Sequence, residues 1–123
     1  MRAGPEPKGS APHAPPQGRT ISDMKAIADV CVIPIGIGLS VSKEVTACER
    51  VFAEAGLKAR LHAYGTNVEG DWDDVMAAIK RCHEVLHAMG VVRISTNIRI
   101  GTRTDRGQTM DDKIRSVQQK LGA

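Results

Sequence analysis

Two hydrophobic periods alternate along residues 24–123, and this alternation restricts the possible fold more than any other feature of the chain. Three segments have patterns typical of strands, either a run of β-branched residues or an apolar residue at every second position. They are residues 25–33, 57–64 and 91–100. The intervening and following segments repeat apolar residues every three or four positions, which is typical of helices. The predicted order is strand, helix, strand, an optional short strand, helix, strand, helix. This order predicts an α+β fold of the ferredoxin-like split β-α-β type. Its antiparallel sheet would have the helices on one face, with an extra C-terminal helix.

Three apolar stripes define the predicted helices. The first begins after Ser40 and ends at Gly56, and the second begins after Asp71 and ends at Gly90. The third is predicted to be capped by Thr109. In chain order the stripes are Val41, Val45, Cys48, Phe52 and Ala55; then Trp72, Val75, Met76, Ile79, Cys82, Leu86 and Met89; then Met110, Ile114, Val117 and Leu121.

Residues 1–23 differ from the rest of the chain because they contain five of its six prolines and few large aliphatic residues. Such a segment cannot bury enough apolar surface to order itself. We therefore expect a disordered Pro-rich extension at 1–23 and a single ligand-binding domain at 24–123, since 123 residues suffice for one hydrophobic core.

Charge and cysteine content exclude several classes of protein. The 17 basic and 14 acidic side chains are interspersed, so no surface typical of a nucleic-acid binder is predicted. The apolar runs are too short for a membrane-spanning helix. The three cysteines form no C-x-x-C pair, which favours reduced thiols and a cytoplasmic location.

The strand at 57–64 has a polar face that would lie on the sheet surface away from the helices. Mixed polar and apolar residues are predicted on this open face, and such a surface favours packing against a second copy of the chain. The predicted open-face residues are Lys58, Arg60, His62, Tyr64, Arg93, Ser95, Asn97 and Arg99, with Ile27, Cys31 and Ile33.

Residues 65–70 are predicted to form a ligand-binding loop. Tyr64 and Trp72, two of the three aromatic residues, flank this segment, and Thr66, Asn67 and Glu69 supply a hydroxyl, an amide and a carboxylate. Such groups suit a small planar, nitrogen-rich or cationic ligand. Each also has a structural interpretation: Trp72 fits the helix stripe, Tyr64 could end a strand, and Glu69 could assist the following helix.

No catalytic or metal-binding constellation is predicted. His83 and His87 have the i, i+4 spacing of a metal pair, but the sequence offers no third ligand. The turn at 36–38 precedes a helix but lacks the lysine of a P-loop. No nucleophile is placed beside a base. We therefore expect neither an enzyme nor a bound cofactor.

Three segments in fixed order carry a resemblance to a known family. They are Pro34-Ile35-Gly36 followed by Ser40, residues 64–70 followed by Asp74-Val75-Met76, and residues 99–105 leading to Lys113. Together they resemble the thiamine-binding protein family, also known as uncharacterised protein family 45, over essentially all of residues 24–123.

The resemblance implies a ferredoxin-like subunit that forms homodimers and homotetramers. It also implies binding of thiamine or its hydroxymethylpyrimidine moiety without chemistry on the ligand. Ser40, Thr66 and Glu69 would lie near the ligand, with Arg103 and Asp105 at a charged loop. From the residues alone Ser40 also fits a helix N-cap. An alternative function is a regulatory module that recognises a partner protein through the open sheet face.

Overall fold

The computed structural model describes residues 24–122 and contains a four-stranded antiparallel sheet with three helices. The extension predicted at 1–23 lies outside the described residues. The sheet order is β2-β3-β1-β4, which confirms the ferredoxin-like prediction. The elements are β1 (Lys25–Ile35), α1 (Ser42–Glu54), β2 (Lys58–His62), β3 (Gly65–Asp71), α2 (Trp72–Ala88), β4 (Arg93–Thr102) and α3 (Met110–Gly122).

The core lies between one face of the sheet and helices α1 and α2. Alternate residues of β1 and β3 point into it because strand side chains alternate between faces. The largest fully buried side chains are Phe52, Leu86, Val30, Val68, Val75 and Cys82. Glycines follow both helices with positive φ, 73° at Gly56 and 101° at Gly90, which confirms the two predicted helix ends.

Residues 65–70 form a strand rather than a loop, so the optional short strand of the prediction is present and is longer than expected. Gly65–Asp71 is β3 and pairs with β1 on one side and β2 on the other. Only Ala63 and Tyr64 remain as the turn between β2 and β3. Hydrogen bonding to two neighbouring strands orders this polar, glycine-containing segment despite its weak intrinsic preference for a strand.

Pro34 does not end β1, contrary to the prediction. The strand continues to Ile35, and beyond Val30 it pairs only with β4 because β3 has no partner for it there. A proline lacks the amide hydrogen that a second neighbour would need, so it is tolerated where one side of the strand is unpaired.

Helix α3 differs from the prediction that every helix covers the same face. Its first turn lies against the open face: Asp111 pairs with Lys58 and Arg60, and the backbone amide of Met110 donates to Glu69 Oε1 at 3.0 Å. Thr109 caps this helix as predicted, since the amide of Asp112 donates to its Oγ1 at 3.0 Å. Part of the open face is therefore occupied by the chain itself.

The attachment of α3 is expected to depend on pH. Hydrogen bonds from Lys58 and Arg60 lower the pKa of Asp111 from 3.8 to about 2. A carboxylate with a lowered pKa stabilises the folded state above its ordinary pKa, and this stabilisation is lost as the pH falls through the lowered value. NMR shifts of α3 amides should therefore move toward a detached helix between pH 3.8 and about 2.

The variant Asp111→Asn should show the same detached spectrum already at pH 7, whereas Asp73→Asn, in the first turn of α2, should not. Unchanged α3 shifts in Asp111→Asn would contradict this role of the ion pairs.

Candidate ligand-binding site

A cavity of about 690 Å³ opens beside the C-terminal half of β1. It exists because β3 stops pairing with β1 at Val30, which leaves a gap bounded by β1, the β2–β3 turn and one face of α1. Much of its lining is apolar, including Val30, Val32, Pro34, Val45, Phe52 and Leu61. Its size and lining are those of a small-molecule site.

Glu49 is the only aspartate, glutamate, lysine or arginine among the residues that line this cavity. It projects from α1, and Thr66 Oγ1 of β3 donates a hydrogen bond to its Oε2 at 2.6 Å. Thr66 is buried, so this contact fixes the carboxylate in place. A single negative charge in a mostly apolar cavity attracts a ligand with a cationic or strongly hydrogen-donating group.

The β2–β3 turn is held against β1 by His62. Its Nε2 lies 2.7 Å from Asp29 Oδ1, and its Nδ1 accepts from the backbone amide of Tyr64 at 3.2 Å. Both ring nitrogens are therefore engaged in positioning the turn. Tyr64 itself is 86% exposed and lines the cavity.

The predicted site residues are separated into three places. Ser40, Tyr64 and Thr66 line the cavity, whereas Asn67 and Glu69 line a groove on the opposite face of the sheet. The alternation of side chains along β3 causes this separation. Trp72 lines neither space and lies at the start of α2, where its backbone amide donates to Met24 O at 2.7 Å.

Ser40 does not cap α1. The N-cap position is Val41, and Ser40 Oγ lies 3.3 Å from Ser42 Oγ instead. The N-cap interpretation of Ser40 is therefore wrong, and both hydroxyls are placed on the cavity wall.

Glu49 is not among the residues predicted to bind the ligand, although its position in the sequence carries a signal. Val45, Glu49 and Phe52 have i, i+4 and i+7 spacing, so the carboxylate interrupts the apolar face of an amphipathic helix. An acid at such a position must find a polar partner or a ligand, and here Thr66 is that partner.

Two cysteines and two histidines are held by structural contacts. The hydrogen bond between Cys82 and Cys48, together with burial, raises the pKa of the Cys82 thiol. His83 Nε2 lies 2.6 Å from Thr96 Oγ1, and His87 Nδ1 lies 2.7 Å from Val91 O. Among residues 24–122, no group of three or more His, Cys, Asp or Glu side chains could hold a metal ion.

None of the helices in the described part of the chain is both long and apolar enough to cross a membrane.

The glycine at the start of β3 is expected to be essential to the cavity wall. A Cβ at Gly65 would lie 2.7 Å from the carbonyl oxygen of Val30, which is closer than real Cβ atoms approach. Gly65→Ala should therefore destabilise the protein by about 1 to 3 kcal/mol in urea denaturation. At Gly101 a Cβ would meet no atom within 4 Å, so Gly101→Ala is the control. Equal stability of the two variants would contradict this account.

A family model and individual relatives place this chain in the same protein family. The family model described as thiamine-binding protein matches residues 28–118. A UPF0045 protein of Synechocystis is 58% identical over 100 residues, which cover 81% of this chain and 83% of the relative. A UPF0045 protein of Eremothecium gossypii is 44% identical over 102 residues, 82% of this chain and 97% of the relative.

Solved structures agree with the fold. A hypothetical protein of Methanocaldococcus jannaschii superposes with a TM-score of 0.72 at 35% identity, covering 77% of this chain and 97% of that one. A Thermotoga maritima protein, whose name gives it a proposed role in thiamine biosynthesis or salvage, superposes with a TM-score of 0.66. It covers 76% of this chain and 98% of that one, and at 18% identity it supports the fold alone. Because the family model spans residues 28–118 and both relatives cover about four fifths of the sequence, this chain belongs to the thiamine-binding protein family.

Proposed function

We propose that this protein binds thiamine, or the hydroxymethylpyrimidine moiety of thiamine, in the cavity beside β1 and performs no chemistry on it. The observation that carries the proposal is the carboxylate of Glu49, the sole acidic group of a largely apolar cavity. Thiamine joins an aminopyrimidine to a cationic thiazolium ring. Glu49 can accept a hydrogen bond from the amino group or balance the cation.

The rest of the cavity suits a planar ligand of this kind. Val45 and Leu61 supply apolar surface, Tyr64 lies where an aromatic ring can stack on the bound ring, and Ser40 supplies a hydroxyl at the wall. Aromatic stacking favours the planar rings of thiamine over an aliphatic cation of similar charge.

Binding without catalysis is supported by the engagement of the cavity's polar groups. His62, the histidine in the lining, uses one ring nitrogen with Asp29 and the other with the amide of Tyr64. It is therefore a poor candidate for a general base that activates a nucleophile.

Titration calorimetry tests the proposal with thiamine, hydroxymethylpyrimidine and thiamine phosphates as separate ligands. Saturable heat with thiamine or hydroxymethylpyrimidine, and recovery of the ligand unchanged after incubation, is the expected result. Absence of both heat and thermal stabilisation at millimolar ligand would overturn the binding proposal, and conversion of the ligand would overturn the non-catalytic one.

We also propose that the protein is a homo-oligomer. Helix α3 has an apolar stripe that its own chain leaves largely exposed: in the described part of α3 only Met110 is buried, and Leu121 is 82% exposed. On the open face, Ile33 and Ile35 of β1 are exposed as well. A second copy could cover these apolar surfaces in a dimer or tetramer.

Light scattering at micromolar concentration should therefore give a dimer or tetramer, and Val117→Lys combined with Leu121→Lys should give a smaller species. A monomeric wild-type chain would contradict self-association.

A further inference from the structure

A second concave site lies on the open face, at the end of β1 opposite the thiamine cavity. It is a groove of about 730 Å³ bounded by the N-terminal half of β1, the C-terminal end of β4, the 103–109 loop and the first turn of α3. The proposed thiamine cavity instead lies beside residues 30–34 of β1. The two sites share no lining residue, so a ligand of the groove would not compete with thiamine for the same side chains.

Basic side chains outnumber acidic ones around this groove. The five basic residues are Lys25, Arg99, Arg103, Arg106 and Lys113, and the three acidic residues are Asp29, Glu69 and Asp112. A concave surface concentrates the field of its charges. The groove therefore attracts anions.

The acidic residues of the groove are already engaged elsewhere. Asp29 contacts His62 Nε2 at 2.7 Å, Glu69 accepts from the amide of Met110 at 3.0 Å, and Asp112 accepts from the amide of Thr109 at 3.0 Å. None of these three forms an ion pair with a basic residue of the groove in the described part of the chain. They therefore leave the groove's cations available.

Within residues 24–122, two of the cations have an ion-pair partner and three do not. Lys25 pairs with Asp71 at 2.8 Å, and Arg103 pairs with Asp105 at 2.5 Å. Arg99, Arg106 and Lys113 form no ion pair within residues 24–122. They come from β4, the following loop and α3, so three separate elements direct unpaired positive charge to one groove.

We propose that this groove binds the polyphosphate group of a small molecule, either inorganic pyrophosphate or a nucleoside diphosphate. Guanidinium groups bind phosphate oxygens through two parallel hydrogen bonds, and an ammonium such as that of Lys113 adds a mobile point charge. Two adjacent phosphates carry enough oxygens and negative charge to contact all three cations that have no ion pair within residues 24–122, whereas one phosphate carries fewer. The groove floor is open at Gly101, where a Cβ would meet no atom within 4 Å, so the ligand can approach the strand backbone.

Calorimetry with pyrophosphate and with ADP tests this assignment on the full chain at low salt. Pyrophosphate should bind, and binding should weaken as sodium chloride is added because the contacts are electrostatic. Arg99→Gln and Arg106→Gln should each weaken it about tenfold or more, the effect of losing a hydrogen bond between charged groups. Tighter binding of ADP than of pyrophosphate would identify the nucleotide as the source of the polyphosphate, and tighter binding of pyrophosphate the inorganic ion.

Two controls make the result specific to the groove. Arg93→Gln removes an arginine from the same strand and the same face but outside the groove, and it should leave binding unchanged. Gly101→Val should block the groove without disturbing the fold. If Arg93→Gln weakened pyrophosphate binding equally, the attraction would come from net charge alone and the site would be overturned. Absence of binding at millimolar pyrophosphate would also overturn it. Thiamine affinity should persist in Arg99→Gln and Arg106→Gln, so failure here is distinguishable from failure of the thiamine proposal.

Discussion

Replacing Glu49 by glutamine is expected to weaken thiamine binding about 10- to 100-fold, because a hydrogen bond to a charged group contributes about 1.5 to 3 kcal/mol. Glutamine keeps the size of the side chain and can still accept from Thr66 Oγ1, so the fold and the cavity should persist. Titration calorimetry of the variant against the wild-type chain measures the loss.

Two matched variants identify the carboxylate that matters. Glu44→Gln removes an acid from the same helix but outside the cavity lining, and Glu69→Gln removes the acid that the sequence analysis placed near the ligand. Both should bind thiamine as the wild-type chain does. A loss with Glu69→Gln and none with Glu49→Gln would place the ligand on the opposite face of the sheet and contradict the account.

Comparing thiamine with hydroxymethylpyrimidine shows which part of the ligand Glu49 meets. The pyrimidine fragment retains the amino group and lacks the thiazolium cation. If Glu49→Gln lowers the affinity for both ligands equally, Glu49 contacts the amino group. If it lowers the affinity for thiamine alone, the thiazolium ring is the partner of Glu49.

Replacing Phe52 by alanine is expected to destabilise the protein by about 3 to 5 kcal/mol, the usual result of truncating a fully buried aromatic side chain. Phe52 is 1% exposed and belongs to the core between the sheet and helix α1. Such a loss is a large part of the total stability of a domain this size, about 5 to 15 kcal/mol. Urea denaturation measures the change in the free energy of unfolding.

Phe52 also lines the proposed thiamine cavity, so its replacement should affect binding as well as stability. A second core variant outside the cavity separates the two effects. Leu86→Ala should cost about 2 to 5 kcal/mol because Leu86 is fully buried, yet it lies outside the cavity lining. In conditions where both variants are folded, thiamine affinity should fall in Phe52→Ala and persist in Leu86→Ala. A Phe52→Ala variant that loses less than about 1 kcal/mol would contradict its place in the core.

The order and type of most elements were predictable from the sequence because their apolar periodicity is strong. The stripe through Val45, Cys48 and Phe52 has the spacing of one helix face, and Cys48 and Phe52 belong to the core as expected. Gly56 and Gly90 end their helices by adopting a backbone conformation that other residues rarely adopt.

The full length of strand β3 and the position of α3 were not predictable in this way, because both depend on contacts distant in sequence. Thr66 faces Glu49 of α1, whereas Asn67 and Glu69 face the groove, and this division exists only once β3 is paired on both sides. A loop would have allowed all three side chains to converge. Similarly, α3 is attached through Asp111 to two residues more than 50 positions earlier in the chain.

An NMR titration of the full chain with thiamine tests the central claim most directly, because amide shifts report where the ligand lies. The account predicts saturable shifts at amides of the cavity, including Ser40, Glu49 and Thr66, and small changes at Arg99 and Arg106 in the groove. Shifts confined to the groove, or no shifts at millimolar thiamine, would contradict it.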